Sequence, residues 1–512
     1  MSGGDGFSRR TAIASGAAGA WIALTGTSYW RDTTDGVATP DGFYESRERT
    51  TAAGAARSFV GIRYATAERF QPPVPVREAV QFRTSFTAFG PACPQRGTAY
   101  QPQSEDCLFL NVWTPLPRAE IPRPVMVYFH GGAYSNGSVT DPLNDGAALA
   151  ARGDVVVVTV NHRLNALGYL YLPERFPSSG NNGQLDLICA LQWVRRNIAS
   201  FGGDPANVTL FGQSGGGAKI ATLMAMPAAA GLFHKAITMS GQQVTASGPV
   251  NAARRTRAFL AELGDGLDPA TAPVEQLIEA LQAIDPILGG GIYMGPVLDM
   301  RHLHRHPFWP DAPPQSAHIP MLLGNTAMET RAFYAPGSRQ LAGLNFANLA
   351  ERIGPEVRID IHPGWVVEQF RARYPDAAPL ELFHRIVTAA RSWRGQVEEA
   401  EARARSGYAN TFVYQLDFEA AKHTDDIGLA FGTVPEPTPE PAPEPTSAQA
   451  RMSDTVMDAF VRFVRTGEPG WAPYDLARRT TMVFDTASGT VDNPRGWERE
   501  LFARVPYIQP GS

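Results

Sequence analysis

The chain contains little lysine, little cysteine and few charged residues. Of its 512 residues, Lys+Arg account for 45 and Asp+Glu for 50, so the formal net charge is −5. Lysine occurs only at Lys219, Lys235 and Lys422. A weakly acidic balance does not favour a polyanionic partner such as nucleic acid. The hydrophobic fraction of 44% excludes a wholly disordered chain and is sufficient for a large core.

Three cysteines are too few for a disulfide scaffold. Cys93 and Cys107 flank a polar loop, and one bridge between them would suit an oxidising compartment. We therefore predict a Cys93–Cys107 disulfide. Cys189 lies in an apolar run, where a cysteine is most simply a buried small hydrophobe.

Long apolar runs are missing beyond the N-terminus, so we expect no stable membrane span there. Arg9 and Arg10 precede a Gly/Ala-rich, weakly apolar stretch that ends at about Leu24. This pattern resembles a twin-arginine signal peptide, and the alternatives are an uncleaved anchor or a frayed tail. We predict an export signal over residues 1–38, one folded domain over residues 39–512, and a periplasmic or extracellular protein.

Short β-branched runs alternate with helical patterns along the chain. The predicted strands are residues 125–129, 155–160, 208–211, 236–239 and 320–323. The run at 155–160 is almost wholly apolar, as in a strand that is covered on both faces. The alternation predicts an α/β fold, with a mostly parallel central sheet flanked by helices.

Two segments interrupt this alternation. Residues 340–407 have a mainly helical pattern and predict a helical cap insertion. Residues 435–447 form a proline-rich insertion that favours an extended polyproline II conformation. The insertion is either a solvated spacer or a binding element for a partner.

A G-x-S-x-G motif at residues 212–216 follows one predicted strand and precedes a helical pattern. This strand–turn–helix context is what a nucleophile elbow requires, and it singles out Ser214. A serine nucleophile needs a base and also donors for the developing oxyanion. We predict that the backbone N–H groups of Gly131, Gly132 and Gly215 are these donors, and the alternative is ordinary glycine turns.

Several longer strings carry a family resemblance. They are residues 104–113, 160–164, 201–212, 231–236, 465–469 and 482–485. On these strings the chain resembles the type B carboxylesterases, the family that includes the cholinesterases. The resemblance spans about residues 42–502 and implies an α/β-hydrolase fold.

The resemblance also implies the remaining members of a catalytic triad. Glu329 matches the family acid, His423 matches the base, and Ser240 matches a serine that supports the buried acid. The order Ser214, Glu329, His423 is that of the α/β-hydrolases. No metal or organic cofactor is implied.

A short segment contains three alternating histidines, His302, His304 and His306. This pattern could also indicate a metal site. No acidic or cysteine ligand accompanies them, and a solvated loop is the simpler interpretation.

The resemblance predicts an exported carboxylic ester hydrolase that acts on small-molecule neutral alkyl or aryl esters. Gln213 and Gly215 replace the Glu and Ala that usually flank the family nucleophile. The segment between Cys93 and Cys107 has no Trp, so the main platform for a choline cation is missing. The alternatives are hydrolysis of an amide, carbamate or lactone by the same triad, and a non-catalytic binding protein on this scaffold.

Overall fold

The computed structural model describes residues 30–77, 83–84, 88–357, 359–434 and 447–509. Most of the predicted export signal, residues 1–29, lies outside these ranges, and export stays a prediction. The sheet already begins at Trp30, so the last residues of the predicted signal segment belong to a strand. The proline-rich insertion also lies outside the described residues, except for Ser447, which begins a helix.

The described residues form fifteen strands, three of which contain only two residues. They are β1 (Trp30–Thr39), β2 (Gly42–Thr51), β3 (Gly54–Arg63), β4 (Ala65–Thr66), β5 (Val74–Pro75), β6 (Arg83–Thr84), β7 (Phe109–Pro115), β8 (Arg123–Phe129), β9 (Val156–Val160), β10 (Gly203–Gln213), β11 (Lys235–Met239), β12 (Met321–Thr326), β13 (Thr411–Leu416), β14 (Thr481–Phe484) and β15 (Gly489–Val491). The five predicted strands correspond to β8 to β12.

One large sheet carries all of these strands except β4 and β5. Its order is β1-β2-β3-β7-β9-β8-β10-β11-β12-β13-β14-β15, with β6 beside β2. The strands from β9 to β14 in this order pair in parallel, and antiparallel pairs occur at both ends. The prediction of a mostly parallel central sheet is confirmed.

Thirteen α-helices lie in the described residues. They are α1 (Ala147–Gly153), α2 (Asn165–Tyr169), α3 (Asn182–Asn197), α4 (Gly215–Leu223), α5 (Pro249–Leu263), α6 (Val274–Glu279), α7 (Leu349–Val357), α8 (Pro363–Arg373), α9 (Pro379–Val387), α10 (Arg394–Arg405), α11 (Asp425–Phe431), α12 (Ser447–Thr466) and α13 (Gly496–Phe502). In these ranges, no helix combines the length and the apolar character needed to cross a membrane.

Two hydrophobic cores cover the two faces of the sheet. Successive side chains of a strand point to opposite faces, so Val127 packs in one core while Tyr128 packs in the other. Helices α3 and α4 contribute to the first core, and α1 and α12 contribute to the second. Every residue of β9 is buried, as its apolar run predicts. This is the predicted α/β-hydrolase architecture.

The predicted cap region contains helices α7 to α10, and a π-helical segment at Thr388–Trp393 joins α9 to α10. The cap has a hydrophobic core of its own, which includes Leu349, Phe370 and Phe383. Leu501 and Phe502 of α13 also pack in that core. The cap therefore has its own core, to which the C-terminal helix contributes.

The structure does not contain the predicted Cys93–Cys107 disulfide, and both residues are free thiols in it. Each is buried in the core. The Leu164 N–H donates to Cys93 Sγ at 3.3 Å. A hydrogen bond with Cys93, together with burial, raises the pKa of the Cys107 thiol. Cys189 is buried, as predicted.

Candidate active site

The candidate nucleophile lies on the tight turn that joins β10 to α4. Ser214 has φ 54° and ψ −123°, a conformation that costs energy for a residue with a side chain. The turn also requires glycine, because a Cβ on Gly216 would lie 1.9 Å from the Phe129 carbonyl oxygen. Ser214 and His423 line one cavity of about 330 Å³.

The candidate acid follows β12 and is fully buried. Glu329 Oε1 accepts hydrogen bonds from Ser240 Oγ at 2.6 Å, the Thr326 N–H at 2.8 Å and Asn325 Nδ2 at 3.1 Å. Burial alone would raise the pKa of Glu329, but the charge and hydrogen bond of His423 and these other donors hold it below its usual range. The carboxylate therefore stays ionised. Ser240 contacts the acid, as the resemblance implies.

The candidate base follows β13 and is joined to the acid. His423 Nδ1 and Glu329 Oε2 form a short hydrogen bond. Burial lowers the pKa of His423, but the Glu329 charge and hydrogen bond raise it further, so the net shift is upward. Because Nδ1 is bonded to Glu329, the other ring nitrogen, Nε2, is left to accept a proton.

The Nε2 atom of His423 does not contact the nucleophile in this structure. Its partner is the side-chain amide of Gln213, whose Nε2 atom lies 3.2 Å away. Among the described residues, Ser214 Oγ has no hydrogen bond to His423. Catalytic hydrogen bonds are often long before substrate binds, so this geometry does not argue against the pair. The structure thus brings Ser214, Glu329 and His423 together, with Gln213 beside the base.

The glycine-containing loop after β8 lies against the nucleophile turn. The two glycines of this loop that we predicted as donors, Gly131 and Gly132, do not line the cavity beside Ser214. Ala133 and Gly215 line the cavity with Ser214, whereas Gly131 and Gly132 line a neighbouring cavity of about 240 Å³. A Cβ on Gly131 would lie 2.8 Å from Gln213 Oε1. Gly131 stays a predicted donor, as does Gly132, and Ala133 joins them as a candidate that lines the cavity. The sequence did not single out Ala133, because this residue would contribute its backbone N–H group and not its side chain.

Two consecutive residues of this loop have positive φ values, 84° at Gly132 and 55° at Ala133. Such turns direct neighbouring backbone N–H groups to one side and create a concave site for an anion. In the described part of the chain, the N–H groups of Gly132, Ala133 and Gly215 donate to no protein acceptor. These three groups remain available to a bound oxyanion.

A buried lysine, which sequence reasoning also missed, holds the loop in place. Lys219 lies on α4, and its Nζ donates to the carbonyl oxygens of Ala133 at 2.9 Å and His130 at 3.2 Å. Burial lowers the pKa of Lys219 to about 7. The sequence could have indicated this contact, because a lysine stands there among small and apolar residues of a helix, and a buried lysine needs polar partners.

We expect Gly216→Ala to lower kcat by about 10- to 100-fold, because displacing one oxyanion donor of this turn typically has an effect of this order or larger. A Cβ at Gly216 would lie 1.9 Å from the Phe129 carbonyl oxygen, so the turn that carries Ser214 and Gly215 would have to move. The measurement is kcat for a 4-nitrophenyl ester. Gly248→Ala is the matched control, since nothing lies within 4 Å of a Cβ there. Equal kcat values for the two variants would contradict the importance of this contact.

The three alternating histidines have separate partners and do not converge. His302 Nε2 contacts Ser178 Oγ, and His306 Nδ1 accepts from the Ala246 N–H. His304 Nε2 contacts the Arg301 carbonyl oxygen. Over the described ranges, no group of three or more His, Cys, Asp or Glu residues is arranged to hold a metal ion.

Comparison with known proteins places this site in a family. The carboxylesterase family model matches residues 35–492. The para-nitrobenzyl esterase of Bacillus subtilis is 34% identical over 483 residues, which is 88% of this chain and 95% of that protein. Carboxylesterase 3 of Homo sapiens is 55% identical over 142 residues, 27% of this chain and 24% of that protein.

Solved structures agree. A crystal structure of a Geobacillus stearothermophilus carboxylesterase has a TM-score of 0.79 and 32% identity, and covers 91% of this chain and 99% of that chain. An esterase from Clostridium hathewayi that can hydrolyse aliphatic aromatic polyesters has a TM-score of 0.73 and 31% identity, with 94% of this chain and 100% of that chain covered. The chain therefore belongs to the carboxylesterase family, and it is a serine ester hydrolase.

Proposed function

We propose that the chain hydrolyses carboxylic esters through an acyl-enzyme on Ser214. His423 Nε2 removes the proton from Ser214 Oγ as that oxygen attacks the ester carbonyl carbon. The tetrahedral intermediate collapses when the protonated His423 gives its proton to the leaving alkoxide. Water then attacks the acyl group with His423 again as the base, and the acid is released with Ser214 restored.

The observation that carries the proposal is the buried contact between Glu329 and His423, whose imidazole lines the same cavity as Ser214. Glu329 would hold the imidazole in the tautomer that leaves Nε2 free to accept a proton. The backbone N–H groups of Gly132, Ala133 and Gly215 would donate to the oxyanion, and Lys219 would keep their loop in position.

Covalent labelling combined with a substrate panel tests the proposal. The panel contains 4-nitrophenyl esters of graded acyl length, together with the matching anilide and carbamate. We expect ester hydrolysis, and we expect an organophosphate to abolish it with one adduct on the peptide that contains Ser214. An adduct on another residue, or preferred cleavage of the anilide or carbamate, would contradict the proposal.

We expect a choline ester to have no advantage in kcat/KM over the neutral ester with carbon in place of the nitrogen. Selection of a quaternary ammonium needs an aromatic face and is worth about 2 kcal/mol, or about 30-fold. The segment from Cys93 to Cys107 offers no Trp, and its Tyr100 lines a neighbouring cavity and not the one beside Ser214.

The two rates would be compared at about 0.5 M salt, so that attraction of a cation by the net charge is screened. A ratio above about 10 in favour of the choline ester, which corresponds to about 1.4 kcal/mol, would contradict the prediction.

A further inference from the structure

The cavity beside Ser214 has an unbalanced charge. Its lining, within the described residues, contains no Asp or Glu, since Glu329 lies behind His423. The permanently charged side chain on this wall is Arg391. A cation without a carboxylate on the same wall attracts an anionic group and disfavours a second cation.

Arg391 reaches the cavity from the π-helical segment Thr388–Trp393 of the cap. Such segments recur at functional sites. One aromatic ring separates the guanidinium from the base. The Phe333 ring centroid lies 5.6 Å from Arg391 Cζ and 4.8 Å from the His423 ring centroid.

Most of the hydrogen-bonding capacity of Arg391 is unused. Its Nη1 donates to the Tyr334 hydroxyl at 3.4 Å and lies 3.9 Å from Glu356 Oε2, which is a weak ion pair. Its Nε and Nη2 atoms have no hydrogen-bond partner among the residues that the structure describes. The side chain is 24% exposed. A guanidinium with two free donors matches the two oxygens of a carboxylate.

We propose that Arg391 forms a subsite for a carboxylate, so that the preferred substrates are esters with a second, free carboxylate in the acyl or the alcohol part. Half-esters of dicarboxylic acids belong to this class. The proposal rests on the proposed ester hydrolysis at Ser214 and adds the chemistry of the group next to the scissile bond. It extends the neutral alkyl and aryl esters that the sequence predicts.

Paired substrates test the subsite. The acyl arm compares mono-4-nitrophenyl adipate with 4-nitrophenyl hexanoate, and the alcohol arm compares 4-acetoxybenzoate with its methyl ester. Each pair gives a ratio of kcat/KM, charged over neutral. The ratio is measured in the wild-type protein, Arg391→Gln and Arg391→Lys. Intrinsic reactivity cancels when the ratios of two proteins are compared.

We expect Arg391→Gln to lower the ratio by about 10-fold or more in at least one arm, because a hydrogen-bonded charge contact is worth about that factor. The neutral esters should lose much less kcat/KM than the charged ones. Arg391→Lys should retain part of the preference, since it keeps the charge without the planar fork. Arg385→Gln is the control, because Arg385 pairs with Glu381 on α9 and does not line the cavity.

An unchanged ratio in both arms would overturn the subsite. If that unchanged ratio came with an equal loss for charged and neutral substrates, Arg391 would be a structural residue of the cap. Failure of the proposed function is a different result, in which the wild-type protein does not hydrolyse the neutral esters at all.

Discussion

Ser214→Ala is expected to lower kcat for a neutral 4-nitrophenyl ester by about 10⁴- to 10⁶-fold, the usual effect of losing a triad member. The substitution removes the atom that would form the acyl-enzyme. It should leave folding intact, since no hydrogen bond of the Ser214 hydroxyl to another described residue would be lost. The measurements are steady-state kinetics and thermal unfolding of the same preparation.

The matched test for Ser214 is the double variant with His423→Ala. The nucleophile and the base act as one unit, so the double variant should be little slower than either single variant. If the kcat losses of the two single variants multiplied in the double variant, His423 would act independently of Ser214. More than about a tenth of wild-type activity in Ser214→Ala would contradict the proposed nucleophile, because triad losses are far larger.

Glu329→Gln is expected to lower kcat by about 10⁴-fold, the effect known for the equivalent Asp-to-Asn change in a serine protease triad. Glutamine keeps the volume of the buried side chain but not its charge. Oε1 accepts from Ser240, Asn325 and the Thr326 N–H, so the new NH₂ group would take the other position and face His423 Nδ1. That contact favours the wrong imidazole tautomer.

The same variant changes the pH profile in a defined direction. Glu329 raises the pKa of His423, and the base works only when unprotonated, so wild-type activity falls as the pH drops through this raised pKa. Without the carboxylate, the acid limb should move to lower pH. A control is Glu381→Gln on the cap surface, which should change neither kcat nor the profile. An unmoved acid limb in Glu329→Gln would contradict the assigned partner.

The parts of this protein that sequence predicts best are those fixed by local pattern. A β-branched run, a glycine turn and a helical pattern suffice to predict β10, the strained Ser214 and α4. The strands around them follow from apolar runs of the right length. Glu329 and His423 come from far-separated segments, and only the family resemblance singled them out from the other acids and histidines.

The remaining features depend on how distant segments pack. Ala133 would contribute a backbone N–H group, which no side-chain pattern reveals. Arg391 reaches the cavity because a π-helical segment and the docking of the cap orient it, and neither is visible in a helical periodicity. The disulfide prediction used loop length and compartment, whereas packing of the two thiols depends on the core around them.

The distribution of lysine has a practical consequence for attaching this protein to a solid support. Of the three lysines, Lys219 is fully buried and Lys235 is bonded to Asn207. Lys422 is half exposed and directly precedes His423 in the chain. Amine-reactive coupling, apart from that at the amino terminus and the partly buried Lys235, would therefore fix the enzyme by its catalytic loop. Immobilisation through an engineered tag or through surface carboxylates would keep that loop clear of the support.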